Sequence, residues 1–275
     1  MRIRRLAWIV ATGLVVAACS TRDAVPGAAA AGARSTGATP HNLTVYAAAS
    51  INAVLAHAKA VYETANPGVS LTISTDSSAA LEAKIEQGAP VDLFLSADTD
   101  NPQKLVDLGM AAADPVPFAR NRLAVIVPAA NPAALRSPAD LARAGVKVIA
   151  AGDAVPISKY ARRLVENLAR QPGYPAGFVA GYDANVVSKE DNEAAVVAKV
   201  ELGEGDAGIV YLTDARSTAA IRAIDVPDAA NVAVTYAGVV IRSSTNAAAA
   251  QAFLDWLAGP GGGAVLVGFG FLPPS

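Results

Sequence analysis

Two places in this chain carry a serine where an oxyanion could be held. Tyr46-Ala47-Ala48-Ala49-Ser50 closes a short apolar strand and opens an amphipathic helix, and Ser77-Ser78 precedes a second helix in the same way. At a helix N-terminus the first-turn N–H groups lack intrahelical acceptors and the helix dipole is positive. A serine hydroxyl there adds one more donor. Each serine alone reads equally well as a helix cap, worth about 1 kcal/mol. Together, near the start of one chain, they point to a protein that holds a small anion.

The elements that must position these serines alternate between strand and helix. Leu43–Ala48 reads as the first strand. The helix after Ser50 places Ile51, Val54, Leu55, Ala58, Val61 and Tyr62 on one face, and Asn66-Pro67-Gly68 stops it. Val69–Ser74 is a strand. The helix after Ser78 turns Leu81 and Ile85 inward and Glu82, Lys84 and Glu86 outward. Val91–Leu95 is an unbroken apolar run, as in a sheet covered on both faces. Asn101-Pro102 reads as the capped start of a helix ending at Gly109, and Ser137-Pro138 as that of another ending at Gly145. Further strands are expected over 122–127, 146–150, 206–211, 221–225 and 232–241. Further helices are expected over 158–170, 191–202 and 246–258, the last ended by Gly259-Pro260.

This order predicts an α/β fold with mainly parallel sheets and no internal repeat. The chain is expected to cross between two lobes near Pro117–Arg122 and to return near Val232–Ala237. Lobe 1 would comprise residues 42–120 plus 236–275, and lobe 2 residues 121–235. A ligand would then lie in the interlobe crevice, at the carboxyl ends of strands.

The N-terminus reads as an address. Arg2, Arg4 and Arg5 precede the apolar run Leu6–Ala18, which is too short to span a bilayer comfortably, so residues 1–18 read as a signal peptide. Val16-Ala17-Ala18-Cys19 resembles the lipoprotein signal-peptidase box, implying a lipid on Cys19; the other reading is an ordinary signal peptide with an incidental cysteine. Cys19 is the only cysteine, which excludes an intramolecular disulfide. Residues 19–41, rich in Ala, Gly, Ser, Thr and Pro, read as a flexible tether. A net charge of −2 without a basic stripe argues against nucleic acid.

An enzyme finds little support. There is no Gly-x-Ser-x-Gly elbow and no His or Cys cluster with ligand spacing, and Gly259–Gly263 is not followed by Gly-Lys-Ser/Thr. A secreted hydrolase with a triad of Ser, His57 and Asp from distant segments is the remote alternative. His41 falls in the tether and His57 on a helix. Asp92 and Asp98 read as caps or interlobe structure, and Lys159 as a solvated side chain in a first helical turn.

Several segments, in order, resemble the periplasmic molybdate-binding proteins of ABC importers. Val45-Tyr46-Ala47-Ala48-Ala49-Ser50 is similar to their opening strand–serine motif, and Ser77-Ser78-Ala79-Ala80-Leu81 to their second serine motif. Gln87-Gly88-Ala89-Pro90-Val91-Asp92-Leu93-Phe94-Leu95-Ser96-Ala97-Asp98 resembles a Gly-Ala-Pro-x-Asp-x-Phe-x-Ser-Ala-Asp segment. Gly152–Ala161 resembles a lobe 2 loop, and Gly208-Ile209-Val210-Tyr211-Leu212-Thr213-Asp214-Ala215 a Gly-x-Val-Tyr-x-Ser/Thr-Asp-Ala segment. Gly259-Pro260 and Gly268-Phe269-Gly270-Phe271 resemble the family's ending.

The resemblance implies a two-lobed, hinged periplasmic binding protein whose oxyanion is held by neutral donors. Ser50 and Ser78 match the lobe 1 serines and Tyr211 the lobe 2 tyrosine. Ile157 falls where many members have Ala, and Asn192 where many have Val; each would offer a backbone N–H. Ile157 is bulkier and Asn192 adds an amide. The implied protein is an exported, monomeric lipoprotein of the cell envelope. It needs no cofactor, and it delivers molybdate or tungstate to an ABC permease and its ATPase. Donors alone suit an unprotonated dianion, whereas protonated phosphate would need an acceptor. Sulfate, with shorter bonds, would be excluded by cavity size. The rival readings are a binder of the same fold for sulfate, or for ferric iron through phenolates drawn from Tyr46, Tyr160, Tyr182 and Tyr211.

Overall fold

The computed structural model describes residues 41–274. The signal segment 1–18, Cys19 and the tether as far as residue 40 lie outside the described residues. His41, read as part of the tether, is instead the first residue of a strand.

Two five-stranded mixed sheets flanked by helices make up the fold. The first sheet takes β1 (His41–Ala48), β2 (Val69–Asp76), β3 (Leu93–Ser96), β4 (Val116–Asn121) and β10 (Val234–Val240), in the order β2-β1-β3-β10-β4. The second takes β5 (Leu123–Pro128), β6 (Val148–Ala151), β7 (Val186–Glu190), β8 (Ala207–Tyr211) and β9 (Ile221–Ile224), in the order β7-β6-β8-β5-β9. β1 runs parallel to β2 and β3, and β6 to β7 and β8. β10 and β5 are antiparallel to both of their neighbours. The sheets are therefore mixed rather than mainly parallel. Each receives one strand directly from the other sheet, and such a strand enters without the helical crossover that enforces parallel pairing.

β8, which carries Tyr211, and β5 beside it are buried on both faces. Every residue of β5 and β8 is buried, so an unbroken apolar run is what their positions require. The helices are α1 (Asn52–Ala65), α2 (Ser78–Glu86), α3 (Asp100–Asp107), α4 (Pro156–Leu168), α5 (Phe178–Asn185), α6 (Glu193–Glu201), α7 (Ala247–Ala258) and α8 (Pro260–Gly268). α1 buries Val54, Leu55, Ala58 and Tyr62. Val61 lies at the margin of that stripe and is exposed, against expectation.

Other expectations also change. Glu82 does not point outward: it is buried beneath α3, where its Oε2 accepts from Lys104 Nζ at 3.0 Å. Asn101 is not a helix cap. α3 begins one residue earlier, and the Asp98 carboxylate takes the Asn101 N–H at 3.2 Å. Gly259-Pro260 ends α7 as expected, but Pro260 also starts α8, which suits a residue that lacks an N–H. The two helices meet so closely that a Cβ on Gly262 would lie 2.4 Å from the Leu257 Cα. β4, α5 and β7 were not anticipated either.

The chain passes between the sheets at Arg122 and again between Ile224 and Val234. Asn231 ties the two passages together, exchanging hydrogen bonds of 3.0 Å with both the N–H and the C=O of Leu123. Buried Asn121 donates to Thr213 Oγ1 at 2.9 Å, joining the end of β4 to the turn after β8.

Candidate functional site

Ser50 sits in a 3-10 turn, Ala49–Ile51, that carries β1 into α1. Its side chain makes no cap bond in that turn, so the simple capping reading does not hold. Instead its Oγ accepts from the Tyr236 hydroxyl at 3.1 Å, which leaves its own proton to donate. Tyr236 lies on β10 and was not singled out in the sequence. Its ring stands 5.6 Å from that of Tyr211, at the end of β8. Ser50 and Tyr211 are thus brought to one place through a third residue.

The two serines before α2 divide the work. Ser77 is the N-cap, its Oγ accepting from Ala80 N at 3.2 Å. Ser78 is buried and its Oγ accepts from Ala97 N at 3.0 Å. The Ser78 proton has no acceptor among the described hydrogen bonds and remains available.

On the second sheet, Ile157 is in the first turn of α4 and fully buried. A first-turn N–H has no intrahelical partner, so this position still offers a backbone donor whatever its side chain. Asn192 is the N-cap of α6, accepting from Ala195 N at 3.0 Å. Its amide also reaches Asp76 at the end of β2. Burial opposes ionisation there, but Lys84, the Ser77 N–H and Asn192 hold the Asp76 carboxyl below its ordinary range.

Lys159 is not the solvated side chain that its sequence position suggests. Its Nζ donates to Asp98 Oδ2 at 2.8 Å and to Asp100 Oδ2 at 2.5 Å, bridging α4 to the start of α3. Burial alone would lower the ammonium pKa, yet the two carboxylates raise it above its ordinary value. The cation is spent on this bridge rather than on an anion. Asp98 also takes the Ser96 hydroxyl at 2.8 Å, and Asp92 accepts Thr44 N at 2.8 Å, so both carboxylates are structural. His41 bonds Asn246 and His57 packs on Phe269.

Ser50 and Ile157 line different cavities. Ser50 borders one of about 480 Å³ with Asp214, Arg216 and Phe269. Ile157 borders one of about 440 Å³ with Lys159, Arg162 and Tyr182. Between the sheets the walls touch directly, through the rings of Tyr211 and Tyr236 and through Lys159 and Asp98.

One residue of this wall escaped sequence analysis. Glu193, the first residue of α6, is buried at 3% exposure, and its Oε1 has no hydrogen-bond partner. Burial pushes its carboxyl up to about 7, although the Ser50 hydroxyl and N–H face it and favour the ionised form. The signal available was its place just after an Asn cap, where side chains flank free N–H groups. Asp214, whose Oδ2 accepts from Tyr211 N at 3.3 Å, is likewise pushed well up by burial.

The phenols suit donation. Burial pushes Tyr211 and Tyr236 well above the ordinary tyrosine value, and Tyr160 and Tyr182 up to about 12. Neutral phenols donate hydrogen bonds, whereas a ferric site would draw on phenolates. Among the described residues, no group of three or more His, Cys, Asp or Glu side chains is placed to hold a metal.

The family described as bacterial extracellular solute-binding protein matches residues 43–272. The molybdate-binding protein ModA of Mycobacterium tuberculosis is 32% identical, over 97% of this chain and 99% of its own. The periplasmic molybdate-binding protein of Azotobacter vinelandii superposes with a TM-score of 0.71 at 24% identity, covering 85% of this chain and all of that one. The sulfate-binding protein SubI of M. tuberculosis gives a TM-score of 0.74 at 21% identity, over 85% of this chain and 87% of that one. At such identities the two superpositions speak for the fold alone.

Proposed function

Because the chain belongs to the bacterial extracellular solute-binding protein family, we propose that it captures molybdate, and tungstate with it, between its two sheets for delivery to an ABC importer. What supports this reading is a set of neutral donors drawn from both sheets, of which Ser50 and Tyr211 lie on either side of Tyr236. Ser50 and Ser78 come from the first, and Tyr211, with the N-terminal turns of α4 and α6, from the second. The near end-to-end match to a protein named for molybdate binding supports the same ligand.

As a member of an extracellular family the protein is exported. Its lipid anchor on Cys19, its monomeric state, its lack of a cofactor and its permease and ATPase partners belong to the proposal. The lobes are the two sheets with their helices, hinged where Asn231 grips Leu123. Ser50, Ser78, Ile157, Asn192 and Tyr211 surround the anion. Binding, rather than catalysis, is the role of these groups, as the family of solute-binding proteins supports. No described helix is long and apolar enough to cross a membrane.

Calorimetry of the purified protein with molybdate, tungstate, sulfate, phosphate and ferric iron tests the reading. The expected result is submicromolar affinity for the first two and roughly hundredfold weaker binding of sulfate, a gap of about 2.7 kcal/mol. Equal affinity for sulfate, or tight binding of ferric iron alone, refutes it.

A further inference from the structure

Glu193 places an ionisable group among the neutral donors of the wall, with the buried Asp214 carboxyl near it. Its neighbours define its charge. The Ser50 hydroxyl and N–H and the residue's own N–H favour the carboxylate. Against them stand burial and the Asp76 carboxylate. Asp214, Tyr211 and Tyr236 each sense a negative Glu193 as a penalty on their own ionisation.

The lysines on the surrounding elements are engaged elsewhere. Lys199 pairs with Glu190 and Glu204, Lys189 with Asp153, and Lys84 with Asp76. Arg216 lies against Gly270, and Arg222 is exposed. Oε1 therefore has neither a counter-ion nor a hydrogen bond, an arrangement that favours a proton on the carboxyl.

We propose that Glu193 enters the binding site as a neutral carboxylic acid that donates a hydrogen bond to the captured dianion, so that capture is coupled to one proton. This inference rests on the oxyanion-binding function proposed above and adds a specificity-determining residue to it. A buried carboxylate beside a dianion would repel it, whereas the acid supplies one more donor. At low pH the site already holds the proton and the anion binds without proton exchange. At high pH each anion bound takes one proton from solvent onto Glu193.

The test is calorimetry with molybdate at pH 6 and pH 8.5, in two buffers of different ionisation enthalpy, on the wild-type protein and Glu193→Gln. With Glu193 near 7 in the free protein, affinity should fall roughly thirtyfold between these pH values, about tenfold per unit above 7. Near one proton should be taken up at pH 8.5 and almost none at pH 6. Glu193→Gln keeps a donor without a charge, so its affinity should be nearly pH-independent.

A second readout needs no ligand and no variant. A carboxyl raised in the folded state stabilises least when ionised. The melting temperature of the free wild-type protein should therefore fall as pH rises from the ordinary carboxylate range through 7.

Molybdate binding that is flat with pH and without proton uptake overturns the inference while leaving the proposed function intact. So does an unchanged pH slope in Glu193→Gln. Phosphate that binds the wild-type protein more tightly at pH 8.5 than molybdate does would show Glu193 acting as an acceptor, and also overturns it. No molybdate binding by the wild-type protein at either pH removes the proposed function and this inference together.

Discussion

Replacing Ser78 by alanine separates ligand binding from structure, because its hydroxyl has two distinct duties. The oxygen accepts from Ala97 N at 3.0 Å, and the proton is free to donate to an anion. Loss of a charge-assisted donor costs roughly 1.5–3 kcal/mol of binding, about tenfold to a hundredfold or somewhat more in Kd. Loss of the acceptor leaves a buried Ala97 N–H unpaired, at about 1–3 kcal/mol of folding stability. Ser78→Ala should therefore weaken molybdate binding and also lower the melting temperature of the free protein by several degrees. Ser77→Ala is the control. It removes only the cap bond to Ala80, worth about 1 kcal/mol. It should cost stability and leave affinity within about twofold, a change of about 0.4 kcal/mol. Calorimetry for affinity and thermal melts for stability, on both variants, give four numbers. If Ser77→Ala weakens binding and Ser78→Ala does not, the division of labour between these serines is refuted.

Two further outcomes follow from the contacts of Tyr236 and Lys159. Tyr236→Phe keeps the ring packing against Tyr211, Phe118 and Phe271 but removes the hydroxyl that orients Ser50. A neutral hydrogen bond of about 1 kcal/mol predicts a twofold to tenfold weaker molybdate Kd, and an unchanged Kd would show that Ser50 needs no orienting partner. Lys159→Met breaks the bridge from α4 to Asp98 and Asp100. Its partly exposed ammonium limits the effect to about 1 kcal/mol, so release of the anion should quicken by up to about fivefold and the effect should fade at high salt. A larger, salt-independent loss in stopped-flow release would mean that Lys159 touches the anion itself.

Local pattern set the elements and the main donors. An apolar run followed by a serine and a helical stripe places Ser50 and Ser78 at strand–helix junctions, because side-chain period and cap chemistry act within a few residues. Tyr211 and Asn192 were legible only through the family resemblance, and Asn192, expected inside a helix over 191–202, is instead the N-cap of α6. The reading of Asp92 and Asp98 as structural residues was also available at this range.

Tertiary packing decided the rest. Only the meeting of β10 with the turn after β1 makes Tyr236 the partner of Ser50. Only the fold of α2 under α3 buries Glu82, and only the approach of α4 to α3 turns Lys159 from a solvated cation into a bridge. The direction of β10 and β5, and hence the mixed sheets, depends on which sheet each strand enters after crossing. Glu193 shows the limit most clearly. In sequence it is an ordinary acid in a first helical turn, where the dipole favours its charge. In the folded chain, burial beside Asp76 and Asp214 outweighs that local preference, because desolvation depends on everything packed around a group and not on the residues beside it in the chain.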